Sequence, residues 1–393
     1  MGGWNIIMGK SITPKQIKAN NRQLIYDYIY ENGKVSQQDI SYALRLSRPT
    51  VASNLVALEA DGLIYKNGMQ DTELIGRKAV GYSIVADYRV AIGVEVRSRK
   101  LKMIAVDLYG KPVDFEEKGL PFEMSDEYCR RVSEEIRDFI SRHDFRDEQV
   151  LGIGFAMQAL ISTDGTSIVY GAILNNTGFK VECFGRYLPY PCTFIHDPEG
   201  AALTEIWHSQ RITNALYISL SQHLGGALIA DGMIRGGKHG HNATFEHIQV
   251  RYGAEAKKCY CGRYGCLETV CSMSALLGDD QPEDFFEAVR SGEAGAVEKW
   301  NDYLGILSRM VNNLHLVLDV DVILGGHLAQ FLTEQDVRFM YSVIREATPF
   351  DEEEDFILLS RMPRHNITVG AALTYIQAFL ADIETRDTPS RLS

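Results

Sequence analysis

The chain has 393 residues, 45% of them apolar and 23% charged, and a formal net charge of −12. That length suits two or three domains with sizeable cores. No stretch reaches the roughly 18 apolar residues of a membrane span, and residues 1–10 lack the basic start and apolar run of a secretion signal, so a soluble cytoplasmic protein is expected. The charge is uneven: residues 1–78 hold ten Lys and Arg against seven Asp and Glu, a net of +3, which leaves −15 for the rest. A mildly basic head on an acidic body suits a head that meets DNA phosphates, although chance asymmetry gives the same numbers.

The head, residues 1–79, reads as three helices and a hairpin. Leu24, Ile25, Tyr28 and Ile29 recur at helical spacing, and Gly33 ends that helix. Ser36 with Asp39 is a capping-box pair, followed by Ile40, Ala43 and Leu44 on one face. Ser47 is a good N-cap for a third helix, with Pro49 tolerated in its first turn and Val51, Leu55 and Leu58 facing inward. Residues 63–66 are strand-like, Asn67-Gly68 predicts a hairpin turn, and a return strand is expected near residues 72–75. Helix, tight turn, helix and wing put a recognition helix in the major groove of double-stranded DNA. Its outward candidates are Arg48, Thr50, Ser53 and Asn54, types that read bases or phosphates, though an ordinary solvated face is the plain alternative. Arg77 and Lys78, beside Gly76, form either a minor-groove arm or a linker charge pair.

The body, residues 80–393, alternates strands and helices, so it is expected to be α/β. Strands at 89–96 with 101–107, and at 215–220 with 226–230, repeat one outline: strand, loop, strand, then an Asp shortly before a Gly. That repetition suggests an internal duplication. Residues 126–143 and 282–317 read as helical, the second with a break at 292–295, and 320–324 as a buried strand. The polar last 15 or so residues read as a frayed tail.

Three of the seven cysteines crowd into residues 259–266. That is metal spacing rather than a disulfide framework, and it suits a reducing compartment. His247, Cys259, Cys261 and Cys266 make a closed one-nitrogen, three-sulfur set, the structural type of zinc site. Cys129, Cys183, Cys192 and Cys271 are expected as buried apolar residues.

The segment from His247 to Glu268 resembles the signature of the ROK family of repressors, open reading frames and sugar kinases. Leu46-Ser47, Thr50-Val51 and Gly62-Leu63 in the head, and Asp197, Arg235-Gly236 and Leu324 to Gly326 in the body, also fall in place. The resemblance implies a winged helix-turn-helix joined to an actin/hexokinase-like, ribonuclease H-like body. Lobe one would be about 80–200 plus the C-terminal helix, and lobe two about 201–365, with a sugar cleft between them.

The kinases' three nucleotide loops are all altered. Asp-x-Gly-Gly-Thr is Glu95-Val96-Arg97-Ser98-Arg99, Gly-Thr-Gly-x-Gly is Ser221-Gln222-His223-Leu224-Gly225, and Gly325-Gly326 is followed by His327. Bulky side chains keep phosphate from backbone amides, so ATP binding and catalysis are not expected. Asp197 keeps the family's base position without its usual neighbours, since Ile195-His196 precedes it. The family's Gly-Glu-x-Gly-His aligns with residues 243–247, which puts Thr244 at the sugar-binding Glu and keeps His247. Glu268 and one of Asn175 and Asn176 complete the implied ligand set with His196 and Asp197. The ligand is then an unusual sugar, a sugar phosphate met by Arg97, Arg99 or His196, or none, with Asp197 and Glu268 structural.

Three functions follow. The first is a transcription repressor of carbohydrate-metabolism genes with a sugar-sensing cleft, a homodimer or dimer of dimers because two half-sites must be read. The second is a sugar kinase with a regulatory DNA-binding head. The third is a zinc-stabilised interaction module.

Overall fold

The computed structural model describes residues 14–70, 79–209, 211–350, 355–360, 362 and 365–383. They divide into two compact units, one taking residues up to Val90, Asp107–Tyr109 and the chain from Ile376, the other Ala91–Val106 and Gly110–Tyr375.

The first unit opens with α1 (Pro14–Asn32), stopped by Gly33 at φ +72. A short strand, β1 (Val35–Ser36), leads to α2 (Gln37–Ala43), whose start is tied by the Ser36–Asp39 capping box. Then comes α3 (Arg48–Ala60), where the Ser47 side chain accepts from the Thr50 N–H. Ile25, Tyr26, Ile29, Ile40, Val51, Leu55 and Leu58 are buried and form the core, but Leu24 is 48% exposed. Tyr26 occupies the inward position that Leu24 was expected to share.

The sheet corrects the expected wing. β2 (Ile64–Gln70) runs straight through Asn67-Gly68 and pairs antiparallel with β3 (Ala79–Ile84), giving the order β1-β3-β2. The register shifts between Lys66 and Met69, and Gly68 has φ +61. The dipeptide therefore makes a bulge rather than a turn; both need a residue in the left-handed region, so the same residues fit either. The Asn67 amide donates to Ser83 Oγ across the ladder at 2.9 Å. Residues 72–75, along with Arg77 and Lys78, lie outside the described residues, and the observed return strand carries the head's sheet to Ile84, past the expected start of the body at residue 80.

The second unit carries two five-stranded sheets. The first holds β4 (Val90–Val96), β5 (Lys100–Val106) and β6 (Pro112–Gly119), then α4 (Asp126–Arg142) and β7 (Val150–Met157). A two-stranded excursion, β8 (Leu160–Ile161) and β9 (Ile168–Tyr170), and α5 (Glu182–Gly185) precede β10 (Cys192–His196) and α6 (Asp197–His208). The second sheet holds β11 (Ala215–Leu220), β12 (Leu224–Ala230) and β13 (Met233–Ile234). Four helices follow, α7 (Glu268–Cys271), α8 (Met273–Leu277), α9 (Pro282–Ser291) and α10 (Ala294–Leu318), the break between the last two falling at Gly292. β14 (Asp321–Gly325), α11 (Glu334–Ala347), β15 (Ile357–Leu359) and α12 (Asn366–Ala381) complete the elements of the described residues.

Strand orders β10-β7-β4-β5-β6 and β13-β12-β11-β14-β15 are the same topology. Numbered within its own sheet, each reads 3-2-1-4-5, an antiparallel meander with two later strands added on the other side. The duplication suggested by sequence is present in the fold. α12 lies against the first sheet at glycine-only distances: a Cβ on Gly93 would fall 1.8 Å from the Thr368 carbonyl oxygen, and one on Gly154 2.0 Å from that of Ala371. Cys129 on α4 and Cys183 on α5 form a disulfide, with Cα atoms 5.9 Å apart. The two were expected as unpaired core thiols; they are 54 residues apart in sequence, too far for spacing to reveal contact. Among the described residues no helix is long and apolar enough to cross a membrane.

Candidate functional site: a ligand cavity, a metal cluster and a DNA-facing helix

In the second unit, the ends of both sheets' strands meet around a cavity of about 530 Å³, its open mouth included. Arg97 follows β4, and His196 and Asp197 sit where β10 turns into α6. Ser221 and His223 come from the β11–β12 turn, and Glu246, His247 and Tyr260 from the long loop after β13. In the first sheet β10 runs parallel to β7, and in the second β14 and β15 run parallel to β11, which brings the C-terminal ends within each set to one side.

Arg97 is already committed. Its Nε donates to Glu95 Oε1, and its Nη1 lies 3.4 Å from Asp197 Oδ2. Glu95, 1% exposed, also accepts from Lys102 Nζ at 3.1 Å and Thr368 Oγ1 at 3.0 Å. Burial alone would raise the Glu95 pKa, but Arg97 and Lys102 hold it down at about 2. Burial raises Asp197, with Arg97 and His196 pulling the other way.

Glu268 faces away from this chemistry. Its carboxylate pairs with His223 Nδ1 at 2.7 Å and accepts the Leu224 N–H at 2.8 Å, tying α7 to the β11–β12 turn. Glu246 is different: it is 4% exposed, lines the cavity, and its Oε2 has no hydrogen-bond partner. Burial pushes its pKa up to about 8, with Glu268 and Asp197 adding to the rise.

Beside the cavity, one ligand atom each from His247, Cys259, Cys261 and Cys266 lie within 4.8 Å of one another, a group that could hold a metal ion. Gly262 and Gly265 have φ +85 and +74, and a Cβ on Gly265 would sit 1.9 Å from the Arg251 carbonyl oxygen. Only glycine allows the turn that brings Cys266 back to the other thiols. Burial lowers the His247 pKa and raises those of Cys259 and Cys266. A buried thiol group of this kind ionises when a cation compensates it.

In the head, Arg48 and Ser53 are exposed on α3 and Thr50 is partly so. Asn54 is not on that face: it is 3% exposed and donates to the Thr50 carbonyl at 2.8 Å. The expectation that it points outward is corrected; position 54 falls between Val51 and Leu55 on the turn that packs inward. Tyr42 on α2, 88% exposed, was missed, and its only sequence signal is an aromatic on the polar face of a short helix.

Comparison with known proteins decides the family. The ROK family model matches residues 91–376, most of the chain, and a winged helix-turn-helix DNA-binding model matches residues 19–65. The chain belongs to the ROK family. It is 27% identical over 266 residues to the N-acetylglucosamine repressor of Escherichia coli O157:H7, a match that covers 66% of this chain and only 64% of that protein. It is 23% identical over 321 residues to the xylose repressor of Bacillus subtilis (strain 168), covering 76% of this chain and 80% of that one. A crystal structure of a ROK family transcriptional regulator, a homolog of the E. coli MLC protein, superposes with a TM-score of 0.73 at 21% identity, over 93% of this chain and 97% of that one. The ROK glucokinase of Streptomyces griseus, solved with glucose and AMPPNP, gives a TM-score of 0.62 at 19% identity, over 73% and 99% of the two chains.

Within the ROK frame, His196, Asp197 and His247 line the cavity, whereas Asn175, Asn176, Thr244 and Glu268 do not. Asn176 is fully buried, and the Thr244 hydroxyl donates to the His241 carbonyl outside the cavity. The carboxylate in that loop is Glu246, two positions beyond the aligned ROK glutamate. Alignment had put it at a ROK glycine, and only the loop's path shows which side chain turns inward. The second and third nucleotide loops are laced together, the His327 N–H donating to Ser221 Oγ at 3.1 Å. Arg97, expected as a candidate phosphate ligand, instead bridges two carboxylates of its own chain.

Proposed function

We propose that this chain is a DNA-binding transcription regulator, a repressor of carbohydrate-metabolism genes, whose cleft takes a sugar or sugar derivative and does not phosphorylate it. One observation carries the reading: a winged helix-turn-helix head shares a chain with a ROK cleft in which Arg97 spans Glu95 and Asp197. The guanidinium occupies the first phosphate loop and pairs with the carboxylate that would serve as base. The repressor names of relatives support the same reading.

Arg48, Thr50 and Ser53 are the proposed DNA contacts, with the cytoplasm as the compartment and a homodimer as the operator-binding form, since two heads read two half-sites. The metal is zinc. A tetrahedron with bonds of about 2.3 Å to sulfur sets its sulfurs about 3.8 Å apart. Cys261 and Cys266 Sγ are 3.7 Å apart, and Cys259 Sγ is 3.8 Å from His247 Nδ1. Zinc would hold the loop between Glu246 and Glu268 in shape, leaving no open position for catalysis.

Footprinting on genomic fragments, followed by titration with sugars, tests the proposal. Protected sites beside sugar-utilisation genes, released by a sugar without ATP, are expected. ATP-dependent phosphorylation of a hexose would overturn it.

A further inference from the structure

We propose that the cavity selects an amino sugar, a polyhydroxylated ring whose ammonium pairs with Glu246, and discriminates against sugar phosphates. This rests on the reading of the cleft as a sugar site and names the ligand class it prefers.

Charge inventory carries the argument. Among the described lining residues Arg97 is the one fixed cation, and it is held by Glu95 and Asp197. Asp197 has Arg97 and, at 3.6 Å, His196. Glu268, nearby, is satisfied by His223 and the Leu224 N–H. Glu246 alone is left over. Its carboxyl is 4% exposed and Oε2 has no partner. The nearest ring nitrogen, His247 Nε2, is 3.7 Å from Oε1, beyond hydrogen-bond range.

A buried carboxyl whose oxygen has no partner is costly, and removing that cost is a source of ligand affinity. An ammonium brings both a donor for the Glu246 carboxyl and a compensating charge, through a charge-assisted hydrogen bond. A neutral hydroxyl brings the donor only. A phosphate brings a second anion beside Glu246 and Asp197, while the one arginine is already engaged, so discrimination comes from repulsion as well as attraction. The amine also matches the family's departure here: the carboxylate has moved two positions along its loop, so it meets a different point on the ring.

The test uses the full-length, metal-loaded protein. Glucosamine, galactosamine and mannosamine are each compared with the parent hexose and with the 6-phosphates, by calorimetry and thermal shift. At least one amino sugar is expected to bind about tenfold or more tighter than its parent, and its 6-phosphate more weakly than the free amine. Glu246→Gln should bring the amine and its parent within about twofold of each other, since only the charge-assisted part of the bond is lost. Glu246→Asp, which keeps the charge, should retain part of the preference, and serves if the Gln variant folds poorly. Metal content is measured for each variant, because Glu246 adjoins His247. Tightest binding by a 6-phosphate, or an amine preference that survives in Glu246→Gln, would overturn the inference. Hexose binding with no amine preference would remove this inference alone. No binding by any of these sugars would remove the sugar-site reading with it.

Discussion

Arg97 is where one side chain decides most. It neutralises Glu95 under the first loop and reaches Asp197 in the cavity. Removing one partner of a buried pair leaves the other uncompensated, at roughly 3–5 kcal/mol. Arg97→Ala should therefore lower the melting temperature markedly, read by calorimetry, whereas the exposed Arg48→Ala should leave it unchanged. The Glu95 pKa falls from an ordinary 4.5 to about 2. Its stabilisation is thus complete above pH 4.5 and is lost as pH falls toward 2, where the unfolded chain binds the proton first. Glu95→Gln should flatten the stability curve across that window. In the head, Arg48→Ala should weaken operator binding by about 1–3 kcal/mol if it reads a base. Asn54→Ala should act mainly through the fold, losing the bond to the Thr50 carbonyl at about 1 kcal/mol. A gel shift alongside a melting curve separates the two; specific loss of DNA binding in folded Asn54→Ala would contradict the buried placement.

At the scale of elements, local rules were legible wherever the residues acted on near neighbours. The Ser36–Asp39 box, the Ser47 cap, the break at Gly292 and the paired strands β4–β5 and β11–β12 could all be read directly, because capping and period need only a few consecutive residues. Asn67-Gly68 shows the limit: a left-handed residue is demanded by a bulge and by a turn alike, and only the register of β3 tells them apart. The cysteine loop that could hold a metal is the other strong local signal. Its glycines and three cysteines lie within one short segment, while the fourth ligand, His247, is twelve positions upstream. Cys261→Ser is expected to lose the metal and to loosen the loop that carries Glu246 and ties Glu268 to β12. Metal analysis should show about one ion per chain in the parent, and a chelator should lower the parent's melting temperature but not the variant's.

For the whole molecule, a head of net +3 on a body of net −15 predicts DNA affinity that falls steeply with salt, since phosphate contacts release counterions. A flat salt dependence in fluorescence anisotropy would argue against phosphate contact. Sequence alone determined the helix-turn-helix head, the α/β alternation, the duplicated strand pairs and the His/Cys set that could hold a metal, because each is written in short-range spacing. Tertiary structure decided which polar groups are spent on one another. Arg97 with Asp197, Glu268 with His223, and Cys129 with Cys183 join residues far apart in the chain. It also decided that Glu246 rather than Thr244 enters the cavity. A side chain's direction in an irregular loop depends on the backbone's path in three dimensions, and no repeat in the sequence encodes that path.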